Sequence, residues 1–581
     1  RSNWTDYESS LISKGGGVFP RSAKSIALTP QIKERFGIDV NSASPDQLIS
    51  LLLKASVDLL WNGGIGTYVK ASTESHSAVG DKGNDSLRVD GNELRCKVIG
   101  EGGNLGFTQL GRIEFALNGG VSLTDFIDNS AGVDCSDHEV NIKILLNELK
   151  NKDKLTEQKR RSILVSMTSE VATLVLDNNY SQVLSIGVAN AQMGSRGKEF
   201  SGLVGYLEKH AGLNRKLEFL PSNDVLDDRE KKGQFLTRPE LSVLTSYMKM
   251  FLKKELVVAD YIADDYLEPY LNSAFPQSLV KTHHAEIASH QLRKEITSTQ
   301  VANSIVNLFG ASFIYRLVDS SGASPSEVVK AAIIAKDIYQ IDGTWAEVEA
   351  LDYKVESATQ DAMMFQLIRL ARRTTRWLLR NRRSSLDFKQ SCTLFAKKII
   401  EARTMIPRKL PAVSQAVFNR KHDALVEKGV PESLARQIAS CQFLVPIASF
   451  VEVSQSTNEG LGTILDVYYS VGEELQLNWL GELINNLDVT NYWEALARES
   501  FLDDMTWQQR ALTCNVLAWS TKKGSADSLV KNWAEENAAA VDRAKAMLAT
   551  LQGELKPDYS MFSVVLRELL NLAQTTVFTK G

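Results

Sequence analysis

A chain of 581 residues with 43% apolar and 23% charged residues has an ordinary globular composition and the length of about four domain-sized units. Its net charge of −4 provides no overall basic field to draw it to nucleic acid or an anionic membrane, and no apolar run approaches the ~18 residues of a bilayer span. The five cysteines are odd in number and show no CxxC pair or Cys/His cluster, so neither a disulfide framework nor a metal site is expected, and a reducing, cytoplasmic setting is.

The chain opens on Arg1-Ser2-Asn3, without Met and without a signal-peptide pattern, and is expected to be a piece of something longer. Residues 1–140 hold 18 of the 36 glycines, so the first quarter reads as loop-rich α/β structure and the rest as helix. Ser44-Pro45-Asp46-Gln47 predicts a capped helix start, with Leu48, Leu51, Leu52 and Ala55 on one face. A strand follows at Val57–Trp61, and the polar stretch Thr73–Gly91 predicts an exposed loop or small hairpin. Strand 96–100, a helix near 108–118, strand 121–127 and a helix near 137–149 give a βαβα order, which implies parallel pairing.

Beyond Asn151 the pattern is helical almost throughout. A period of 3.6 runs through Lys154–Asn178, and capping boxes stand at Thr237-Arg238-Pro239-Glu240 and Ser324-Pro325-Ser326-Glu327. Ser222 to Gln234 predicts a linker, with further joints near Ile341-Asp342-Gly343, Met405–Pro411 and Ser454–Gly462. Arg369, Arg372, Arg373, Arg376 and Arg380 follow helical spacing, with Arg382 and Arg383 beyond. They read either as a polyanion surface or as a solvated, salt-bridged helix face, and the second is the more ordinary account. His283 and His290 share a helical face, but no acid or histidine completes a metal set. Five of the nine tryptophans lie beyond residue 475 and read as core anchors of a helical bundle.

Three strand ends carry Asn beside small residues: Asn62-Gly63-Gly64 after Trp61, Glu101-Gly102-Gly103-Asn104 after Gly100, and Asn129-Ser130-Ala131-Gly132 after Ile127. Ligands of open α/β sheets bind at such edges. Gly100–Gly106 has GxGxxxG spacing, one residue longer than the dinucleotide fingerprint, with Asp125 placed as a possible ribose-binding acid. It reads as a phosphate turn, or as a glycine-rich edge that binds something else or only turns.

These three segments, together with Ser10-Leu11-Ile12-Ser13-Lys14-Gly15-Gly16-Gly17 and the continuation to Glu139, resemble the large bacterial NAD-specific glutamate dehydrogenases. The resemblance implies a late edge of a Rossmann-like domain, with the pyrophosphate turn lying upstream. It implies that Asn104 and Asn129 face the nicotinamide end of NAD, that Asn62, Gly63, Gly64 and Gly102 line the same cofactor edge, and that Ser136 donates to the carboxylate of glutamate. An amide side chain can both donate to and accept from the nicotinamide carboxamide, although Asn also stabilises turns by tolerating left-handed backbone. No segment matches the family's catalytic lysine and aspartate. Lys14 beside three glycines is a substitute only on paper, since a surface lysine near a turn is the simpler account. Asp134, Asp137 and His138 crowd the edge, where they tune substrate binding or, for Asp137, cap a helix.

The expected fold is α/β, a partial Rossmann-like parallel sheet over residues 1–150, followed by a large all-α region divided into 151–340 and 341–581. The activity implied is oxidative deamination of L-glutamate to 2-oxoglutarate and ammonium, with NAD as cofactor, homo-oligomeric self-association, and no nucleic acid or membrane partner. The alternative is a non-catalytic oligomerisation or regulatory helical module.

Overall fold

The computed structural model describes residues 3–489, 492–519 and 524–576. The chain divides into two compact units, Arg1–Arg316 and Leu317–Gly581.

After two short 3-10 helices, Trp4–Asp6 and Ser9–Leu11, the first unit forms β1 (Ile26–Ala27) and β2 (Ser42–Ala43), paired antiparallel around α1 (Pro30–Phe36). Thr29 caps α1, Pro30 fits its first turn, and Gly37 closes it at φ 62°. α2 (Pro45–Leu53) carries the expected capping box between Ser44 and Gln47. β3 (Leu59–Asn62) is followed by β4 (Val69–Lys70), the short α3 (His76–Val79), β5 (Val89–Asp90) and β6 (Val98–Glu101). β3 pairs parallel with β6, and β4 parallel with β5. The strands expected at Val57–Trp61 and 96–100 are present with small shifts of boundary.

The stretch Thr73–Gly91 is neither a free loop nor a hairpin. Its Arg88 side chain is fully buried, donating to the Thr67 carbonyl at 2.8 Å and to Asp85 at 2.6 Å. That anchor draws the segment inward and lets β5 run parallel to β4.

α4 (Gln109–Leu117) is capped by Thr108. The strand expected over 121–127 is reduced to a single parallel bridge, Val121 to Val98. The chain then turns into α5 (Asp125–Asp128), because the Asp125 carboxylate accepts from the backbone of Leu105 at 2.7 Å and of Phe126 at 2.9 Å. α6 (Asp134–Asn151) starts three residues before its expected start near Asp137.

The helical run expected over Lys154–Asn178 is broken at Met167 into α7 (Glu157–Ser166) and α8 (Thr168–Ala191). Met167 is buried among Ile142, Leu145, Leu149, Leu271 and Phe275, and each such side chain contributes about 1.5–3 kcal/mol. α9 (Met193–His210) follows. The linker expected at Ser222–Gln234 is a helix, α10 (Asn223–Lys231), capped by Ser222, since its charged residues fit a solvated helix face as readily as a loop. α11 (Arg238–Val257) bears the expected capping box of Thr237 and Glu240. His283 is a kink in the helix Gln277–Ala288 and His290 lies beyond its end, so the two do not share a helix. His290 is buried, with Nε2 3.2 Å from the Asn141 carbonyl.

Every element of the second unit among the described residues is a helix. Ser324 and Glu327 box the start of Pro325–Ile338. The expected joints fall at Gln340 (φ 52°), at Leu410 after the helix Phe388–Lys409, and at Asn458 (φ 62°). Trp533 is fully buried against Leu480, Val516 and Phe562, as expected of a core anchor, but Trp493 and Trp507 are exposed at 75% and 42%.

The C-terminal half of the arginine helix, Ser357–Asn381, and the two arginines after it are paired with carboxylates. Arg376 pairs with Glu499 and Asp503, Arg380 with Asp503 at 2.7 Å, Arg382 with Glu452 at 3.4 Å and Arg383 with Glu327 at 2.8 Å. A face so occupied by carboxylates is a salt-bridged packing surface. Among the described residues no single helix is long and apolar enough to cross a membrane.

Candidate active-site edge

The parallel register Trp61 to Gly100 and Asn62 to Glu101 brings two strand ends level. The Asn62 carbonyl then accepts from Gly102 N at 2.9 Å and Gly103 N at 3.1 Å, fusing the two turns. A Cβ on Gly103 would lie 2.5 Å from the Gly64 carbonyl oxygen, so these backbones touch. A Cβ on Gly106 would overlap the Asn62 amide. Small residues are required here because backbone packs on backbone.

The third turn joins through side chains. Asn129 Nδ2 donates to Asn104 Oδ1 at 2.7 Å, and Asn129 Oδ1 accepts from Gly132 N at 3.2 Å. Asn104 is exposed and Asn129 half-buried. Gly63 and Gly64 are exposed, and a Cβ at Gly64 would meet nothing within 4 Å. The Asn62 Nδ2 is buried and has no hydrogen-bond partner among the described residues. Thus Asn62, Gly63, Gly64, Gly102, Asn104 and Asn129 lie along one edge, open at Gly64 and carrying one bonded pair of amides, with the Asn62 amide packed inside the turn.

Beneath this edge lies a charge cluster that sequence reasoning missed. Arg112 of α4 grips Glu101 with two bonds, 2.6 and 2.9 Å, and approaches Asp125 at 3.3 Å. Glu101 and Arg112 are 1% and 5% exposed. Asp125 is therefore consumed by Arg112 and the Leu105 backbone, which removes it as a ribose-reading acid. Burial pushes the Glu101 carboxyl up against the pull of Arg112. Asp128 accepts from Glu101 N at 3.0 Å, yet burial, aided by the nearby Glu101 and Asp125 charges, raises its pKa to about 6.

A raised carboxylate pKa means that the folded chain holds a proton the unfolded chain has lost. Stability therefore falls as pH rises from about 4 to about 6. Asp128→Asn keeps an acceptor for Glu101 N and removes the charge. It is expected to stabilise the chain by about 1–3 kcal/mol at pH 8 and hardly at all at pH 4, measured by urea unfolding at both values.

Ser136 is exposed in the first turn of α6, its hydroxyl donating to the Val133 carbonyl at 2.9 Å. The opposite side of that turn faces inward. Asn178 of α8 donates to Asp134 at 2.9 Å and lies 3.2 Å from His138 Nε2, while His138 Nδ1 lies 2.9 Å from the Ala274 carbonyl. That carbonyl takes the Nδ1 proton and leaves Nε2 as acceptor when the ring is neutral. Burial opposes a charge on His138, but Asp134 outweighs it and raises the pKa. Lys249 of α11 donates to Gln182 at 3.0 Å, and burial lowers its pKa to about 7 despite the field of Asp134. Asn179 donates to the Ile127 carbonyl and to Ser130 Oγ, both at 2.9 Å.

Residues 1–189 match the family model described as "Bacterial NAD-glutamate dehydrogenase, catalytic domain", and residues 233–571 match "Glutamate dehydrogenase, C-terminal". The chain belongs to the bacterial NAD-specific glutamate dehydrogenase family. It is 46% identical over 576 residues to the NAD-specific glutamate dehydrogenase of Pseudomonas aeruginosa, covering 99% of this chain and 36% of that protein. The enzymes of the same name from Halomonas elongata and Mycobacterium tuberculosis are 41% and 35% identical, again over 99% of this chain and 36% of theirs. The chain thus spans about a third of the length of these curated relatives.

The family's catalytic-domain match ends inside α8, so the match includes Asn178 and Asn179. A signal for them existed in the sequence. Two adjacent asparagines in the interior of a long helix are poor helix formers and ask for another reason to be there. Lys14 is exposed in the turn before Gly15. Among the described residues no three His, Cys, Asp or Glu groups gather to hold a metal ion, and all five cysteines are free.

Proposed function

We propose that this chain forms the nicotinamide-side wall of a glutamate dehydrogenase active site. The enzyme would convert L-glutamate to 2-oxoglutarate and ammonium in the cytoplasm as a homo-oligomer. NAD, when bound, accepts the hydride released from the α-carbon. The observation that carries this reading is the meeting of Asn104 and Asn129 at 2.7 Å above the fused glycine turns. Paired amides present both donors and acceptors to a carboxamide, and the glycines let a ring approach backbone. These features fit the nicotinamide end of the cofactor.

On this reading the small β3–β6 sheet is the last part of a Rossmann-like sheet. Leu59, Trp61 and Val98 lie on one face of it and stay 55%, 58% and 38% exposed. An apolar face and open edge of that kind suit cover by further sheet and helices. The family's lysine and aspartate that polarise and protonate the reacting centre are assigned to the part of the relatives this chain does not span.

Ser136 is assigned to the substrate carboxylate, to which its exposed hydroxyl would donate after turning from the Val133 carbonyl. Ser136→Ala in the full-length enzyme is expected to raise KM for glutamate about tenfold and leave KM for NAD unchanged. Equal effects on both constants, or none, would contradict the assignment. An absence of glutamate-dependent NADH formation by the unsubstituted full-length enzyme would contradict the function itself.

A further inference from the structure

We infer that helix α8 is a working part of the active site, and that its adjacent Asn178 and Asn179 are positioning residues for the two turns carrying Asn129 and Ser136. The inference rests on the function proposed above. Asn179 reaches across 49 to 52 positions of sequence and ties the Ile127 carbonyl and the Ser130 hydroxyl, the residues on either side of the Asp128-Asn129 pair. Asn178 points about a third of a helical turn away and ties Asp134 and His138, which flank Ser136 on α6. One short stretch of helix therefore grips both site elements at once.

The turns need such a grip. Residues 129–133 are exposed or half-buried except for Ser130, and among the described residues the side-chain bonds of Asn129 itself run to Asn104 and Gly132. Besides the α8 amides, the stretch from Ile127 to Asp134 is held by its own local turns, by buried Ile127 and by the ties of Asp128 to Glu101 N and of Asn129 to Asn104. The α8 amides are the ties that fix its Ile127 carbonyl, Ser130 and Asp134. A misplacement of about 1 Å at a hydride-transfer site costs on the order of a hundredfold in rate. Asn178 and Asn179 touch neither Asn104 nor Ser136 directly, so they act through the groups they hold. Helical structure after the sheet is thereby part of the catalytic unit and not only an assembly surface.

The test uses the full-length enzyme. Asn179→Asp is isosteric, but its carboxylate cannot donate to the Ile127 carbonyl. It is expected to raise KM for NAD about tenfold and to speed amide exchange at Ser130–Val133 by a similar factor, with KM for glutamate changing less. Ser185→Ala removes a different α8 bond, to the Val306 carbonyl at 3.0 Å, and is expected to lower stability without changing either KM. In an Asn129→Ala background the Asn179→Asp effect on KM for NAD should vanish, because the two act as one unit. Persistence of the full effect in that background, or unchanged exchange and KM beside a responsive Asn129→Ala, would overturn this inference alone. An Asn129→Ala enzyme with unaltered KM for NAD would overturn the cofactor reading, and the inference with it.

Discussion

Replacing Arg112 by methionine is expected to destabilise the first unit by about 3–5 kcal/mol, enough to threaten folding at ordinary temperature. The side chain it removes satisfies two bonds to Glu101, which is 1% exposed, and faces Asp125 at 3.3 Å. Methionine fills comparable volume but leaves buried carboxylates with no countercharge. Glu101 must then take up a proton or draw in water, and either response disturbs its backbone bond to Asp128 and the turn that presents Asn104. Pairing the change with Glu101→Gln replaces the ion pair instead of breaking it, and is expected to recover part of the loss. Urea unfolding of the single and double variants measures both. A loss below about 1 kcal/mol for Arg112→Met would show that solvent reaches the cluster.

How far the site could be read from sequence depends on where each side chain finds its partner. The turns at Asn62-Gly63-Gly64 and Gly102-Gly103-Asn104 were legible because glycine and asparagine announce tight backbone locally. The capping boxes at Ser44, Thr237 and Ser324 were legible for the same reason, each closing over three residues. The strand expected over 121–127 failed because its outcome is decided at a distance. Asp125 answers to Leu105, twenty positions earlier, and to Arg112, and their demands bend the chain into a helical turn. Arg112 reads as an ordinary polar position in an amphipathic helix, and only its bonds to Glu101 of β6 and Asp125 of α5 reveal it as a buried charge. Ser222–Gln234 shows the converse, since its charges suited a loop and a solvated helix equally, and the Ser222 cap decided between them. The pair Asn178-Asn179 had a visible oddity, two weak helix formers together, but nothing in the sequence named Ile127, Ser130 or Asp134 as the partners.

The largest functional effect is expected from exchanging Asn104 and Asn129 together for leucine in the full-length enzyme. Leucine keeps the volume and removes every donor and acceptor from the two walls of the edge. On the proposed placement, the edge would then lose the groups that orient the nicotinamide, a loss of about two to three orders of magnitude in kcat/KM for NAD. The fused glycine turns would remain, so some cofactor affinity should survive while hydride transfer slows. Stopped-flow measurement of NADH formation in the first turnover, at saturating glutamate and varied NAD, separates those two quantities. A slowed transfer step together with weakened NAD binding is the expected result; a double variant that matches the unsubstituted enzyme in both NAD affinity and transfer rate would contradict the placement of the cofactor on this edge.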